Sequence, residues 1–231
     1  MHIRVVLVEP AYSMNVGAIC RAMKNFGYFE LRIVNPKCGL RSVGAYKGAK
    51  HAKEILENAK TAGSLEEASR GCDLIIGTTG VKLRHKGTIR GVLPLRQFAK
   101  KSGYYKKRKL ALVFGREGIG LSEDELNKCD LLINIETSPA YPVMNISHAA
   151  AVVLYSLSQI SGGQGEAPAS GAELRALKRM FSGLSARFER KNMRAPVAFK
   201  RLISRAQINE QEAKALLNLF RLMECELSER Y

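Results

Sequence analysis

Acidic residues are scarce in this chain: 21 Asp and Glu stand against 37 Lys and Arg, giving a net charge of +16 and a pI of about 9.8. Solubility does not require such an imbalance, and it points to a polyanionic partner. Acid is missing altogether between Lys82 and Lys109, where Lys82, Arg84, Lys86, Arg90, Arg96, Lys100, Lys101, Lys106, Lys107, Arg108 and Lys109 follow one another. A second basic block, Arg175 to Arg205, is opposed only by Glu189. Neither block carries the aromatic and leucine face of a membrane-surface helix, so nucleic acid is favoured over an anionic membrane. No apolar run reaches the length of about 18 residues needed to cross a bilayer. Met1-His2-Ile3-Arg4 leads directly into a strand pattern without the regions of a signal peptide, so the chain is expected in the cytoplasm. Cys20, Cys38, Cys72, Cys129 and Cys225 are scattered singly, and His2, His51, His85 and His148 are equally dispersed. No CxxC pair occurs, so neither a metal site nor a disulfide is expected. GxGxxG and GxxxxGK[ST] are also absent, which argues against a Rossmann dinucleotide site or a P-loop.

What the chain does have is short apolar runs alternating with helical patterns. Ile3 to Val8, Leu31 to Val34, Asp73 to Ile76 and a run starting at Leu110 read as buried strands. From Asn15, residues Val16, Ile19, Cys20, Met23 and Phe26 share one helical face, while Gly17, Arg21 and Lys24 fall on the other. Residues 42–60 read as a further helix, and Ser64 with Glu67 and Ser122 with Glu125 read as capping boxes. Strands alternating with helices indicate a mostly parallel sheet covered on both faces.

The stretch Leu110 to Leu157 concentrates two strand-to-loop transitions, and ligands of open α/β sheets sit outside the carboxyl ends of strands. Gly77 to Gly80, Gly115 to Gly120 and Pro139 to Asn145 each follow a strand and could wall one pocket; ordinary turns explain them equally well. Small, polar residues from Ser161 onward mark a linker, taken as 161–172 between a domain at 1–160 and a helical extension at 173–231. In that extension Asn209 with Glu212 forms a cap, and Ala213, Leu216, Leu217, Phe220, Met223 and Leu227 make an apolar stripe.

Three segments together resemble the SPOUT superfamily of knotted RNA methyltransferases. They are Glu9-Pro10 with Asn15-Val16-Gly17 and Arg21, then Phe114 to Ser122 (FGREGIGLS), then Met144-Asn145-Ile146-Ser147. Phe199 to Ala206 (FKRLISRA) is similar to the C-terminal extension of the TrmJ branch of tRNA methyltransferases. The resemblance implies a deep trefoil knot in the C-terminal part of the sheet, a homodimer, and S-adenosylmethionine bound among the three loops. On the same basis Thr78, Thr79, Gly80, Gly115, Ile135, Pro142, Val143, Met144 and Asn145 are expected to contact the cofactor. The implied reaction is ribose 2′-O-methylation of tRNA at the pyrimidine nucleotide 32; rRNA methylation and an inactive RNA-binding scaffold are the alternatives.

Arg21, Asn15 and Glu117 are the expected catalytic residues. A guanidinium stays protonated, so Arg21 suits an anchor for phosphate and a developing oxyanion better than a base, with Asn15 and Glu117 orienting it. Lys82, Arg84, Lys86, Arg90, Lys200, Arg201 and Arg205 are expected to bind RNA. Val143 stands where the family commonly has serine, removing a hydroxyl from the site. His148 reads as a packing residue rather than a base, Glu117 as an acceptor for nearby backbone N–H groups as readily as a catalytic group, and Tyr141 as a wall of the pocket or a stacking platform.

Overall fold

A computed structural model describes residues 2–80, 92–105, 107–159, 168–188 and 194–228. The chain divides into two units, Met1–Gly162 and Gly163–Tyr231. The first is built on strands β1 (His2–Val8), β2 (Glu30–Val34), β3 (Lys60–Ala62), β4 (Leu74–Thr78), β5 (Val92–Pro94), β6 (Lys109–Phe114) and β7 (Leu131–Asn134). These form one sheet in the order β3-β2-β1-β6-β4-β7-β5, with every pairing parallel. The sheet is therefore wholly parallel among the described residues.

Parallel strands need crossovers, and the helices that supply them cover both faces. Helices α1 (Ser13–Asn25), α2 (Val43–Ala49), α3 (Lys53–Glu57), α5 (Leu95–Lys101) and α7 (Ile146–Ser158) pack together on one side. The opposite face carries α4 (Leu65–Ser69) and α6 (Glu123–Lys128), where Val6, Val8, Ala111, Val113, Leu121, Leu126 and Leu132 form a continuous core. The period-2 alternation of β1 is explicit: Val6 and Val8 belong to this core, and Val5 and Leu7, equally buried, point the other way. Arg4, on the α4 side, donates from Nη1 to the carbonyls of Ala68 and Arg70, both at 2.8 Å, and so satisfies the end of α4 from a neighbouring strand.

Several expectations need correcting. Residues 42–60 are not one helix: α2 ends at Ala49, a 3-10 turn at Lys50–Ala52 intervenes, α3 ends at Glu57, and β3 begins at Lys60. Lys50 takes φ +51°, which breaks the helix between Gly48 and Ala52. Gly17 does not face outward; a Cβ there would lie 2.1 Å from the Ala45 carbonyl oxygen and 2.6 Å from the Ala49 amide, so glycine lets α1 and α2 meet backbone to backbone. Ser64 caps α4, but Glu67 turns to the Gly63 amide at 2.7 Å. His148 is exposed rather than packed.

The second unit is helical, with α8 (Gly171–Ala186), α9 (Ala195–Ala206) and α10 (Glu210–Ser228) packed around Phe181, Phe199 and Phe220. Phe181 and Phe199 stack at 4.0 Å between ring centroids. The expected linker ends early: Ser170 forms a capping box with Glu173, Ala169 is fully buried, and Pro168 bridges Asn209. Asn209 and Glu212 form their reciprocal cap at 2.8 and 2.7 Å. Of the apolar stripe, Ala213, Leu217 and Phe220 are buried whereas Met223 is exposed.

Candidate active site

The loops leaving β4, β6 and β7 meet at the carboxyl edge of the sheet around a cavity of about 560 Å³, within the range of small-molecule sites. The first loop is fixed by the neighbouring strands and the other two from within. Thr78 Oγ1 donates to the Val113 carbonyl at 2.9 Å, and the Thr79 amide donates to the Ile133 carbonyl at 3.0 Å. In the β6–α6 loop, Arg116 and Gly120 exchange backbone hydrogen bonds of 3.2 and 2.9 Å. A Cβ on Gly115 would sit 2.2 Å from the Gly120 carbonyl carbon, and Gly118 and Gly120 hold φ of +86° and +72°, so this hairpin-like loop needs its glycines. In the loop after β7, Thr137 Oγ1 donates to the Pro142 carbonyl at 3.0 Å.

All the residues expected at the cofactor, Thr78, Thr79, Gly80, Gly115, Ile135, Pro142, Val143, Met144 and Asn145, line this one cavity, together with Glu117 and Tyr141. Sequence reasoning missed Phe114, Leu121, Ile133 and Thr137 on the same wall. The signal for the first three was positional, since Phe114 and Leu121 flank glycines and Ile133 lies near the end of a buried strand; Thr137 carried none. Tyr141 is 80% exposed, as a residue at the rim would be. Asn145 has a second task, capping α7 by accepting from the Ser147 amide at 2.8 Å and the Ser147 hydroxyl at 2.7 Å.

Glu117 joins the cavity to the loop after β1. Its carboxylate accepts from Asn15 Nδ2 and from the Ala11 amide, both at 3.0 Å, and Asn145 Nδ2 donates to Asn15 Oδ1 at 3.3 Å. Partial burial pushes this carboxyl up, but the hydrogen bonds from Asn15 and Ala11 outweigh burial and hold it below its ordinary value. Among the described residues no hydrogen bond or ion pair joins Arg21 to either Asn15 or Glu117; Arg21 is exposed on α1. The orienting role expected of that pair is therefore directed at each other and at Asn145.

Next to Glu117, Arg116 forms a clamp that composition did not suggest. Its Nη1 and Nη2 reach the two oxygens of Glu125 at 2.9 Å each, and its Nε reaches Glu9 at 3.1 Å. The hydrogen bond from Arg116 holds the Glu9 carboxyl below its ordinary value, while Glu125 and then Glu9 raise the guanidinium above its own. Glu9 itself stands at φ +46° where β1 ends. Consecutive residues 116 and 117 thus grip the first loop at Glu9 and at Ala11 and Asn15, and bidentate pairing fixes the orientation.

Of the residues expected at RNA, Lys82, Arg84, Lys86 and Arg90 lie outside the described residues. Lys200 and Arg205 are half-buried on α9. Arg201 is corrected: it is 3% exposed, on the same face as buried Ser204 one turn on, and cannot present its charge to a partner. Not all of the basic stretch before β6 is available to a polyanion, since Arg108 is buried with its guanidinium 4.7 Å from the Tyr104 ring centroid, and Lys109 pairs with Glu30 at 2.9 Å. Among the described residues no group of three or more His, Cys, Asp or Glu could hold a metal, and no helix is long and apolar enough to cross a membrane.

A wholly parallel sheet with a cavity at its carboxyl edge defines an α/β protein of the kind that binds ligands beyond the ends of its strands. Residues 2–155 match the SpoU rRNA Methylase family, and the chain belongs to it. It is 39% identical to the tRNA (cytidine-2′-O-)-methyltransferase TrmJ of Methanocaldococcus jannaschii, across 95% of this chain and 98% of that one. It is 31% identical to the tRNA (cytidine/uridine-2′-O-)-methyltransferase TrmJ of Cronobacter sakazakii, across 99% and 98%. Among solved structures, TrmJ from Z. mobilis ZM4 superposes with a TM-score of 0.72 at 25% identity, covering 97% of this chain and all of the other.

Proposed function

We propose that this chain transfers a methyl group from S-adenosylmethionine to a ribose 2′-oxygen of tRNA, at the pyrimidine nucleotide 32 of the anticodon loop. The observation that carries the reading is the convergence of three glycine- or proline-bearing loops on one cavity, with the linked Glu117, Asn15 and Asn145 beside it. Full-length similarity to named tRNA 2′-O-methyltransferases supports it.

The cavity fits the cofactor. Ile133, Ile135, Leu121 and Met144 offer apolar walls for an adenine ring, and the tightly folded loop at Gly115–Gly120 brings backbone polar groups to the surface of the cavity. Bound there, S-adenosylmethionine supplies an electrophilic methyl on a cationic sulfonium. The chain supplies position and electrostatics. Glu117 and Asn145 hold Asn15 in a fixed orientation at the acceptor side. Arg21 anchors the phosphate next to the reacting nucleotide and balances charge developing on the 2′-oxygen.

The working unit in this proposal is a homodimer in the cytoplasm, with Arg21 of one subunit set against the cavity of the other. The absence of any tie from Arg21 to Asn15 or Glu117 among the described residues is consistent with that arrangement. The trefoil knot belongs to the same reading, supported by β7 lying between β4 and β5, so that the chain returns into a sheet already laid down on both sides. The second unit grips the tRNA body through its exposed basic residues. The test is incorporation of tritium from labelled S-adenosylmethionine into unmodified tRNA with rRNA fragments as competitors. Label in tRNA is expected; label in rRNA alone would move the substrate to the family's other class, and no label at any pH would leave an RNA-binding scaffold.

A further inference from the structure

At the opposite edge of the same sheet lies a second hollow, of about 500 Å³, bounded by Tyr28, Phe29, Glu30, Arg32, Asn58 and Lys60. Its charge is decided by Glu30, the acid on its wall. That carboxylate is taken up by Arg4 at 2.7 Å and Lys109 at 2.9 Å, neither of which lines the hollow, while Arg32 comes no nearer than 3.9 Å. Lys60 is exposed, pairs in register with Arg32 across β2 and β3, and has no ion pair among the described residues. Two cations thus stand side by side with their neighbouring acid already neutralised. Phe29 lines the same hollow with 59% of its surface exposed.

We infer that this hollow is a second RNA contact, taking an unpaired nucleotide with its base on Phe29 and its phosphate between Arg32 and Lys60. An exposed aromatic beside paired cations is the combination that binds single-stranded nucleic acid, the ring serving any base face and the cations tracking the backbone. A chain of net charge +16 gives that ligand precedence over an acidic peptide. The position adds a geometric rule. β1 runs from the hollow to the loops of the cavity, and its seven residues span about 20 Å at roughly 3.3 Å each. The preferred substrate is therefore a folded RNA whose methylated loop is followed, about that distance away, by a second unpaired stretch.

The inference rests on the RNA-methyltransferase reading, and the experiment separates the two. Binding of full-length tRNA and of an isolated anticodon stem-loop is measured for the full-length protein and its Phe29→Ala, Phe29→Trp and Lys60→Ala variants, with S-adenosylmethionine affinity measured alongside. Phe29→Ala is expected to weaken full-length tRNA binding about five-fold or more, the loss of one base stack, while Phe29→Trp restores it. Lys60→Ala is expected to shallow the salt slope by about 0.7. Stem-loop and cofactor affinities stay unchanged. Unaltered tRNA affinity in Phe29→Ala would overturn the site, as would equal weakening of tRNA and stem-loop. Failure of the unaltered protein to bind either RNA would instead sink the methyltransferase reading.

Discussion

The two units place charge in opposite ways. In the first, the carboxyl edge fixes a few polar side chains against one another: Arg116 against Glu9 and Glu125, Glu117 against Asn15. In the second, the charges are spread along helix surfaces, and among its described residues one arginine, Arg201, is drawn inside. In the function proposed above, geometry matters most in the first and the number of charges in the second. Single changes should therefore act sharply at the edge and by small increments in the tail.

The largest effect is expected from Arg21→Ala, which should lower turnover by about 10³-fold or more while cofactor affinity by calorimetry stays near normal. A matching loss of cofactor binding would move Arg21 out of the acceptor side. Removing residues after Gly163 should leave cofactor binding intact and weaken tRNA binding. If the tail neutralises about four phosphates, the slope of log affinity against log salt should become shallower by about 3.6 units on its removal. An unchanged slope would mean that the tail serves packing alone.

Arg116→Ala should lower kcat/KM by about 10–100-fold, because it frees the loop that carries Glu117. Arg116→Lys should recover only part of that, since an ammonium cannot reproduce the two-pronged contact with Glu125. Full activity in the alanine variant would break the contrast between the units. In the tail, Arg205→Ala should shallow the salt slope by about 0.9, whereas Arg201→Ala should leave the slope alone and lower the melting temperature.

The same contrast extends to pH. Glu9, Glu117 and Glu125 all have carboxyls held below the ordinary value of 4.5. Their contribution is complete above that value and disappears as pH falls below it. Melting temperature should therefore hold from neutrality to about pH 5 and drop beneath 4.5, with a smaller acid loss in Arg116→Ala because Glu9 then lacks its main partner.

Much of this was legible in the sequence because local signals agreed with the fold. The apolar run Ile3 to Val8, the Ser122–Glu125 cap and the glycines of residues 115–120 all act within a few residues. What was not legible depends on distant pairing. β3 reads Lys-Thr-Ala, in which only Thr61 favours a strand, and it pairs along the edge offered by Arg32 to Val34. β5 is three residues ending in proline, and pairs only with β7 among the described residues. Arg201 and Leu202 are inverted relative to their chemistry, the arginine buried and the leucine 55% exposed, on an α9 that packs against α8. Neither the Arg116 clamp nor the Asn15–Asn145 contact could be seen without knowing that residues about a hundred positions apart meet at one sheet edge.

The central claim is ribose methylation of tRNA by the residues at that edge. Its most direct test is nucleoside mass spectrometry of tRNA from a strain deleted for this gene, carrying either the unaltered chain or Arg21→Ala. The expected result is a 2′-O-methylpyrimidine at position 32 that is lost on deletion, restored by the unaltered chain and not by the variant. Persistence of that nucleoside after deletion, or its restoration by Arg21→Ala, would contradict the claim.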